Sequence, residues 1–388
     1  MLLSLKNQSN MDLIIDGNAF INVAISVTKS LSEKDKRTGE AYYVNDILHD
    51  SAVLKEHVRV SFRNFCFTYL SSLIAPIGSS LDSVHIVFDS KSWRKEYTST
   101  FFESSTFTTT SAPLEFKYKG NRKYDDHQYL FFDYFQQVLI PALTESCGVN
   151  CYRFKSTEGD DIIAHLCEIL DNDLLIYSVD QDLKQLVGSL NKNILLIVPK
   201  QMSKTKKVFV PDTIIPEKAE EELDSFFSLN EAHISGSTVD KIIKNLLNKD
   251  YAKFVVDPVD EILSKILLGD KSDHIPKITN ITPTKARKII TSLLEEFGDN
   301  LLALLDSLDS TFISSFINQI CLANKITDQD KLDEIRENLL LNIKIIRLAT
   351  NVFPEEIRDT LVHFFADYVV VPFKSKEFTN LKNNQYTL

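Results

Sequence analysis

Three short, largely apolar runs in this chain each end in aspartate. Leu13-Ile14-Ile15 leads into Asp16, and His85-Ile86-Val87-Phe88 leads into Asp89. Leu174-Leu175-Ile176-Tyr177 leads, through Ser178 and Val179, into Asp180 and Asp182. Runs this short, with no polar alternation, suit strands covered on both faces, as in a parallel sheet. The stretches around His57–Leu73 and Gln128–Leu143 have helical spacing, and strands alternating with helices make the class α/β. In open parallel sheets ligands bind beyond the carboxyl ends of the strands, where these aspartates fall.

The length, 388 residues, is enough for two or three domains at about 150 residues each. Hydrophobic residues at 44% and charged residues at 25% are the balance of a globular chain, and 10 Gly with 11 Pro exclude a collagen-like or low-complexity one. Cys66, Cys147, Cys151, Cys167 and Cys321 contain no CxxC pair and read as free thiols in a reducing compartment. The opening MLLSLKNQSN is too short and polar for a signal peptide, and no apolar run approaches a membrane span. Met1–Asn10 reads as a loose extension, with either Met1 or Met11 as the start, and the expected location is the cytoplasm (the host cytoplasm if the protein is viral).

The net charge of −11 argues, at face value, against a non-specific nucleic-acid binder. The charge is unevenly spread. Pro211–Glu231 holds seven acidic residues against Lys218 alone. Lys91–Asp126 has seven basic residues against five acidic ones, interleaved with Trp93, Tyr97, Phe116 and Tyr118, and includes a Ser/Thr-rich patch. Cations on phosphates with rings under bases is how single strands are gripped. Lys271–Lys288 has five basic residues against Asp273, and Lys200, Lys204, Lys206 and Lys207 mark a hairpin tip. From about Asp260 onward the spacing is helical throughout.

Further carboxylates join those at the strand ends. Glu158-Gly159-Asp160-Asp161 opens a helix over Ile162–Leu170, and Asp270 and Asp273 lie three apart, on one face if helical. A lone aspartate of this kind serves equally as a helix cap or turn residue. So many together repel one another unless divalent cations intervene, and magnesium and manganese prefer hard oxygen ligands. Two such ions activate water and clamp a phosphodiester. A phosphatase with a DxD nucleophile is the less suited alternative, because the first strand ends in Asp16-Gly17-Asn18.

Taken in order, IIDGN (14–18), VFD (87–89), SWRKEY (92–97), YKGNR (118–122), EGDD (158–161), SVDQDLKQL (178–186) and GDKSDHIP (269–276) resemble the 5′-nuclease superfamily. That superfamily comprises flap endonucleases, phage 5′→3′ exonucleases and the nuclease domain of bacterial DNA polymerase I, and the T-even phage ribonuclease H type looks most similar. The resemblance implies a PIN-like/5′-nuclease α/β fold: a mainly parallel sheet flanked by helices, a helical arch, and a C-terminal helical region with a helix–three-turn–helix element. It places the nuclease core at 11–260, the arch insertion at about 91–126 and the helical region at 261–388. It assigns Asp16, Asp89, Glu158 and Asp160 to a first metal cluster, and Asp161, Asp180, Asp182, Asp270 and Asp273 to the second or to both. Lys119 and Arg122 match basic residues at the base of the arch, Arg94 a phosphate clamp, and Tyr118 a stacking or packing ring. Lys123, Lys277, Lys285, Arg287 and Lys288 are the remaining nucleic-acid contacts. Two departures stand out. The stretch from Tyr97 to Phe116 is longer than usual, and Lys277–Thr282 lacks the glycines of the family's duplex-binding loop, so no potassium site is expected.

The function so implied is a two-metal 5′→3′ exonuclease and flap endonuclease with Mg2+ (Mn2+ substituting), acting near 5′ ends of DNA or RNA/DNA, as in ribonuclease H-type primer removal. The expected partners are such duplexes and a single-stranded-DNA-binding protein or other replication factor, with the chain itself a monomer away from membranes. The rival readings are a non-catalytic structure-specific DNA-binding relative and a magnesium-dependent phosphohydrolase of small molecules. Nine carboxylates count against the first, and the YKGNR and GDKSDHIP motifs have no use in the second.

Overall fold

The computed structural model describes residues 10–34, 56–75, 77–104, 118–119, 128–187, 194–201, 207–211 and 257–385. The N-terminal extension, most of the arch stretch and, Pro211 aside, the acidic segment expected at 211–231 lie outside them.

In chain order the elements begin with β1 (Met11–Asp16), α1 (Gly17–Lys34), α2 (Glu56–Ile74), β2 (Leu81–Val87) and α3 (Trp93–Ser104). Next come α4 (Gln128–Tyr134), a π-helical turn (Phe135–Leu139), α5 (Ile140–Cys147), β3 (Val149–Tyr152) and α6 (Gly159–Ile169). Strand β4 (Asp173–Tyr177) leads into a 3₁₀ turn (Gln181–Leu186), followed by β5 (Ile194–Gln201) and β6 (Lys207–Pro211). The rest is helical: α7 (Pro258–Leu268), α8 (Pro283–Phe297), α9 (Leu301–Asp306), α10 (Ser310–Asn324), α11 (Gln329–Ile346), α12 (Glu355–Ala366) and α13 (Ser375–Asn383).

The strands form one sheet in the order β3-β2-β1-β4-β5-β6, parallel except for the antiparallel β5–β6 hairpin. Side chains alternate between its faces, and both faces are apolar. Leu13, Ile15, Ile86, Leu175 and Tyr177 join one core with Phe20, Phe62, Leu70 and Phe135 from the α1, α2 and π-turn side. Ile14, Val87, Leu174 and Ile176 join the other with Ile162, Ile163 and Leu166 of α6. After β3 the chain returns to the far side of β1 to form β4, so the strand order reverses between these two strands. Asp16 ends β1 at that reversal, where an open parallel sheet has its crevice.

The C-terminal helices start where local chemistry dictates. Asp257 and Thr282 accept hydrogen bonds from the first free amides of α7 and α8, and Pro258 and Pro283 occupy positions that need no donor. Helices α7 to α11 share a third core with Ile278, Ile281 and Tyr118. The packing divides the chain differently from a boundary at 260/261. Leu348, Phe353, Ile357 and Leu361 return to the α6 face of the sheet, and Phe373 and Phe378 join the core on the opposite face. No described helix is long and apolar enough to cross a membrane.

Candidate metal and nucleic-acid site

The Asp16-Gly17-Asn18 step joins strand to site. Asp16 Oδ1 accepts from the Ala19 amide at 3.0 Å, capping α1, and Oδ2 accepts from the Ser178 hydroxyl at 2.7 Å. A Cβ on Gly17 would lie 2.5 Å from the Phe88 ring and 2.8 Å from the Val87 carbonyl oxygen, so only glycine lets α1 start this close to the end of β2. Asn18 Nδ2 donates to Asp89 Oδ2 at 2.6 Å, and the Gly159 amide donates to Asp89 Oδ1 at 2.6 Å. Asp180 is oriented in turn: its amide donates to Ser178 Oγ at 3.0 Å, and its Oδ1 accepts from the Asp182 amide at 2.9 Å. The sequence signals for these supporting residues were weak, since serine and asparagine at strand ends are common turn residues.

Asp16, Asp89 and Asp180 are thus held at strand ends by neutral donors, and Asp160, in the first turn of α6, is close enough to interact with their charges. Burial, with Asp89 and Asp180 nearby, pushes Asp16 up to about 6 against the hydrogen bonds from Ala19 and Ser178. Burial, with Asp180, Asp89 and Asp16 as neighbours, holds Asp160 well above the usual carboxylate range, although Lys119 opposes the shift. Asp180 is raised by burial and by Asp182. As the side chains stand, no three His, Cys, Asp or Glu among the described residues form a ready cage for one ion. The donors are nevertheless all hard oxygens whose mutual repulsion Lys119 offsets only in part, which is the chemistry a divalent cation of the magnesium type relieves.

Glu158 and Asp161 play a different part. Glu158 caps α6, and the two side chains form a reciprocal box with each other's backbone amides. Asp161 is fully buried; Oδ1 accepts from Arg94 Nη2 at 2.7 Å, and Oδ2 accepts from Trp93 Nε1 at 2.8 Å and Arg94 Nη1 at 3.1 Å. With both oxygens so occupied, Asp161 is an anchor for α3 and stands apart from the open carboxyls. Arg94 is correspondingly 1% exposed, with Nη1 on Glu158 Oε2 at 2.6 Å and Nε on the Ile345 carbonyl at 2.8 Å. This departs from the expected phosphate clamp, because a guanidinium enclosed by two carboxylates and a carbonyl has no face left for a phosphate. An exposed cation beside Asp89 is Arg153, whose Nε donates to the Asp89 carbonyl at 3.2 Å and Nη1 to Gln136 Oε1 at 3.2 Å.

Tyr118 and Lys119 reach the same place from the arch stretch. Lys119 has φ of 51°, its amide donates to the Asp273 carbonyl at 3.1 Å, and its Nζ lies 2.8 Å from Glu158 Oε1 and 3.7 Å from Asp273 Oδ2. Burial acts to lower the Lys119 ammonium's pKa, but Glu158 and the other surrounding acidic groups outweigh it and hold it firmly charged. Burial likewise acts to raise Glu158, but Arg94 and Lys119 prevail and hold its carboxyl down to about 2. Tyr118 is 4% exposed, with its hydroxyl 3.3 Å from Asp273 Oδ2 and 3.4 Å from Glu158 Oε2, so it packs and offers no ring for stacking. Arg122 and Lys123 lie outside the described residues.

Asp270 and Asp273 lie in the connection between α7 and α8. They are not on one helical face, because Asp270 pairs through its backbone with Ile275 in a closed turn. Asp270 Oδ1 accepts from the Ser272 amide and hydroxyl, and Lys265 of α7 pairs with Asp182 and lies 3.4 Å from Asp270 Oδ2. Lys265 carried no mark in the sequence, being one lysine on an amphipathic helix. Lys277, Arg287 and Lys288 are exposed beyond this turn, whereas Lys285 is half-buried and held by the Asn280 carbonyl and Asn324 Oδ1.

No protein-family model matches the chain. Over 343 residues, 84% of the chain, it is 24% identical to the DNA polymerase I of Lactococcus lactis subsp. lactis (strain IL1403), and it spans 33% of that protein's length. Among solved structures, the T5 D15 protein co-crystallized with metal ions is 14% identical with a TM-score of 0.46, covering 92% of this chain and 99% of that one. T5 5′-exonuclease with divalent metal ions (zinc) bound is 15% identical with a TM-score of 0.46 and the same coverage. The catalytic core of Rad2 in complex with DNA substrate is 12% identical with a TM-score of 0.31, covering 94% of this chain and 90% of that one.

Proposed function

We infer that this chain belongs to the 5′-nuclease superfamily and is a metal-dependent nuclease that cleaves phosphodiesters near 5′ ends of DNA and RNA/DNA duplexes. The finer reading is a two-metal 5′→3′ exonuclease and flap endonuclease that removes RNA primers in replication, with Mg2+ as the natural ion. The observation that carries it is the convergence of Asp16, Asp89, Asp160 and Asp180 at the reversal of strand order, beside the charged Lys119.

Asp16, Asp89, Asp160 and Asp180, together with Asp182 and Asp270, would hold the divalent cations. Ions bound there would supply a nucleophilic water at neutral pH and stabilise charge on the phosphate oxygens. The protein's own residues do the positioning: Ser178, Asn18 and the Gly159 amide fix the carboxylates before substrate arrives. Lys119 offers a protonated ammonium at the edge of the cluster. Exchanging Glu158 for a phosphate oxygen would place that charge where it builds during cleavage, an effect worth about 3 kcal/mol in comparable sites. The same exchange would release a Glu158 oxygen toward the cluster. Lys277, Arg287 and Lys288 provide exposed cations for a duplex backbone. A single-stranded-DNA-binding protein or other replication factor is the protein partner that fits this role.

A 5′-labelled flap and an RNA-primed duplex, each incubated with Mg2+, test the reading. Short 5′ products are expected from the wild type and none from an Asp16→Asn, Asp180→Asn double variant; cleavage that survives in the double variant overturns the site. Lys119→Ala should lower the single-turnover rate by about 10²-fold or more while leaving the dissociation constant nearly unchanged.

A further inference from the structure

The acidic groups around the crevice are not treated alike. Asp16 and Asp89 are held by neutral donors, a serine hydroxyl, an asparagine amide and two backbone amides. Asp182 and Asp270 instead share one ammonium. Lys265 of α7 pairs with Asp182, in the turn after β4, and stands 3.4 Å from Asp270 Oδ2, at the start of the α7–α8 connection. The three side chains are only 18%, 25% and 17% exposed, so solvent screens the contact less than it would a surface pair. The lysine therefore bridges two separate elements at one edge of the carboxylate cluster.

We propose that Lys265 is a resident counter-cation of the Asp182–Asp270 pair, which a divalent ion entering that pair has to displace. This rests on the metal-dependent nuclease reading and deepens it. An ammonium and a dication a few ångströms apart repel, and a carboxylate oxygen committed to Nζ is not free for a metal. The flexible four-carbon stem lets the ammonium leave without moving α7. The enzyme consequently binds one ion tightly, at Asp16, Asp89 and Asp160, and a second weakly, at Asp182 and Asp270.

Binding of Mn2+ to the full chain without nucleic acid, followed by electron paramagnetic resonance of the free ion, reads this directly. The wild type should show a tight and a weak class. Lys265→Met, which keeps the apolar stem, should tighten the weak class about tenfold or more and leave the tight class unchanged. Lys265→Arg should keep the second class weak. Lys265→Gln, with thermal melting as a check of folding, serves as an independent neutral variant. A weak class that stays the same or disappears in the folded neutral variants overturns the counter-cation role while leaving the nuclease reading intact. A wild-type chain that binds no Mn2+ in either class overturns both.

Discussion

Arg94 is shared among Asp161, Glu158 and the carbonyl of Ile345, which lies 251 positions away in sequence. Replacing it by Met strands two buried carboxylates, so Arg94→Met should destabilise the fold by about 3–5 kcal/mol, read from denaturant midpoints without nucleic acid. A variant of full stability that had lost only substrate affinity would restore a phosphate-binding role. Asp16 makes a second test. Its carboxyl is raised from 3.8 to about 6, so the folded state holds that proton more tightly than the unfolded state. The stabilising contribution is complete below the unfolded value and lost as pH rises through about 6. A cation bound by the ionised carboxylates offsets the loss, so Mg2+ should raise the melting temperature more at about pH 7.5 than at about pH 5. Asp16→Asn should flatten the metal-free trend across that window, and equal Mg2+ shifts at both pH values would count against the cluster. The aspartates were legible because each ends an apolar run. The partners of Arg94 and Lys265 were not, because they depend on which distant elements pack together.

At the scale of elements, the α7–α8 connection is the informative case. Gly269 has φ of 70°, and a Cβ there would lie 2.3 Å from the Ile275 carbonyl oxygen and 2.7 Å from the Lys277 amide. Gly269→Ala should therefore cost about 1–3 kcal/mol and weaken duplex binding through displacement of Lys277, measured by melting and by fluorescence anisotropy. Unchanged stability would mean the turn is less constrained than its contacts suggest. The helix starts on either side were readable from Asp257-Pro258 and Thr282-Pro283. The turn was not: Asp270 and Asp273 would share a face only if the backbone continued the helix, and the Asp270–Ile275 pairing ends it. Strand β3 carries little signal in the sequence, because Val149-Asn150-Cys151-Tyr152 is four residues long and its polar Asn150 is buried by bonding to the backbone of Val371.

Across the whole molecule, the chain after Arg347 is part of the sheet's covering and not an appendage. Leu348, Phe353, Ile357, Leu361, Phe373 and Phe378 bury apolar side chains worth about 1.5–3 kcal/mol each, together comparable with a net stability of about 5–15 kcal/mol. Deleting residues 348–388 should leave an unfolded or insoluble product, checked by circular dichroism and size-exclusion chromatography; a soluble, cooperatively melting fragment would refute this. Arg347 adds a link of its own, bidentate to Asp306 and bonded to Gln185 in the turn that carries Asp182. The sequence by itself determined the α/β class, the strands that end in carboxylates and the helical character of the C-terminal third, because burial periodicity and capping act over a few residues. Only the tertiary structure decided which carboxylates stay open, which are consumed by Arg94 or Lys265, and that the last helices return to the sheet. Those outcomes depend on contacts between residues tens to hundreds of positions apart, and no local pattern encodes them.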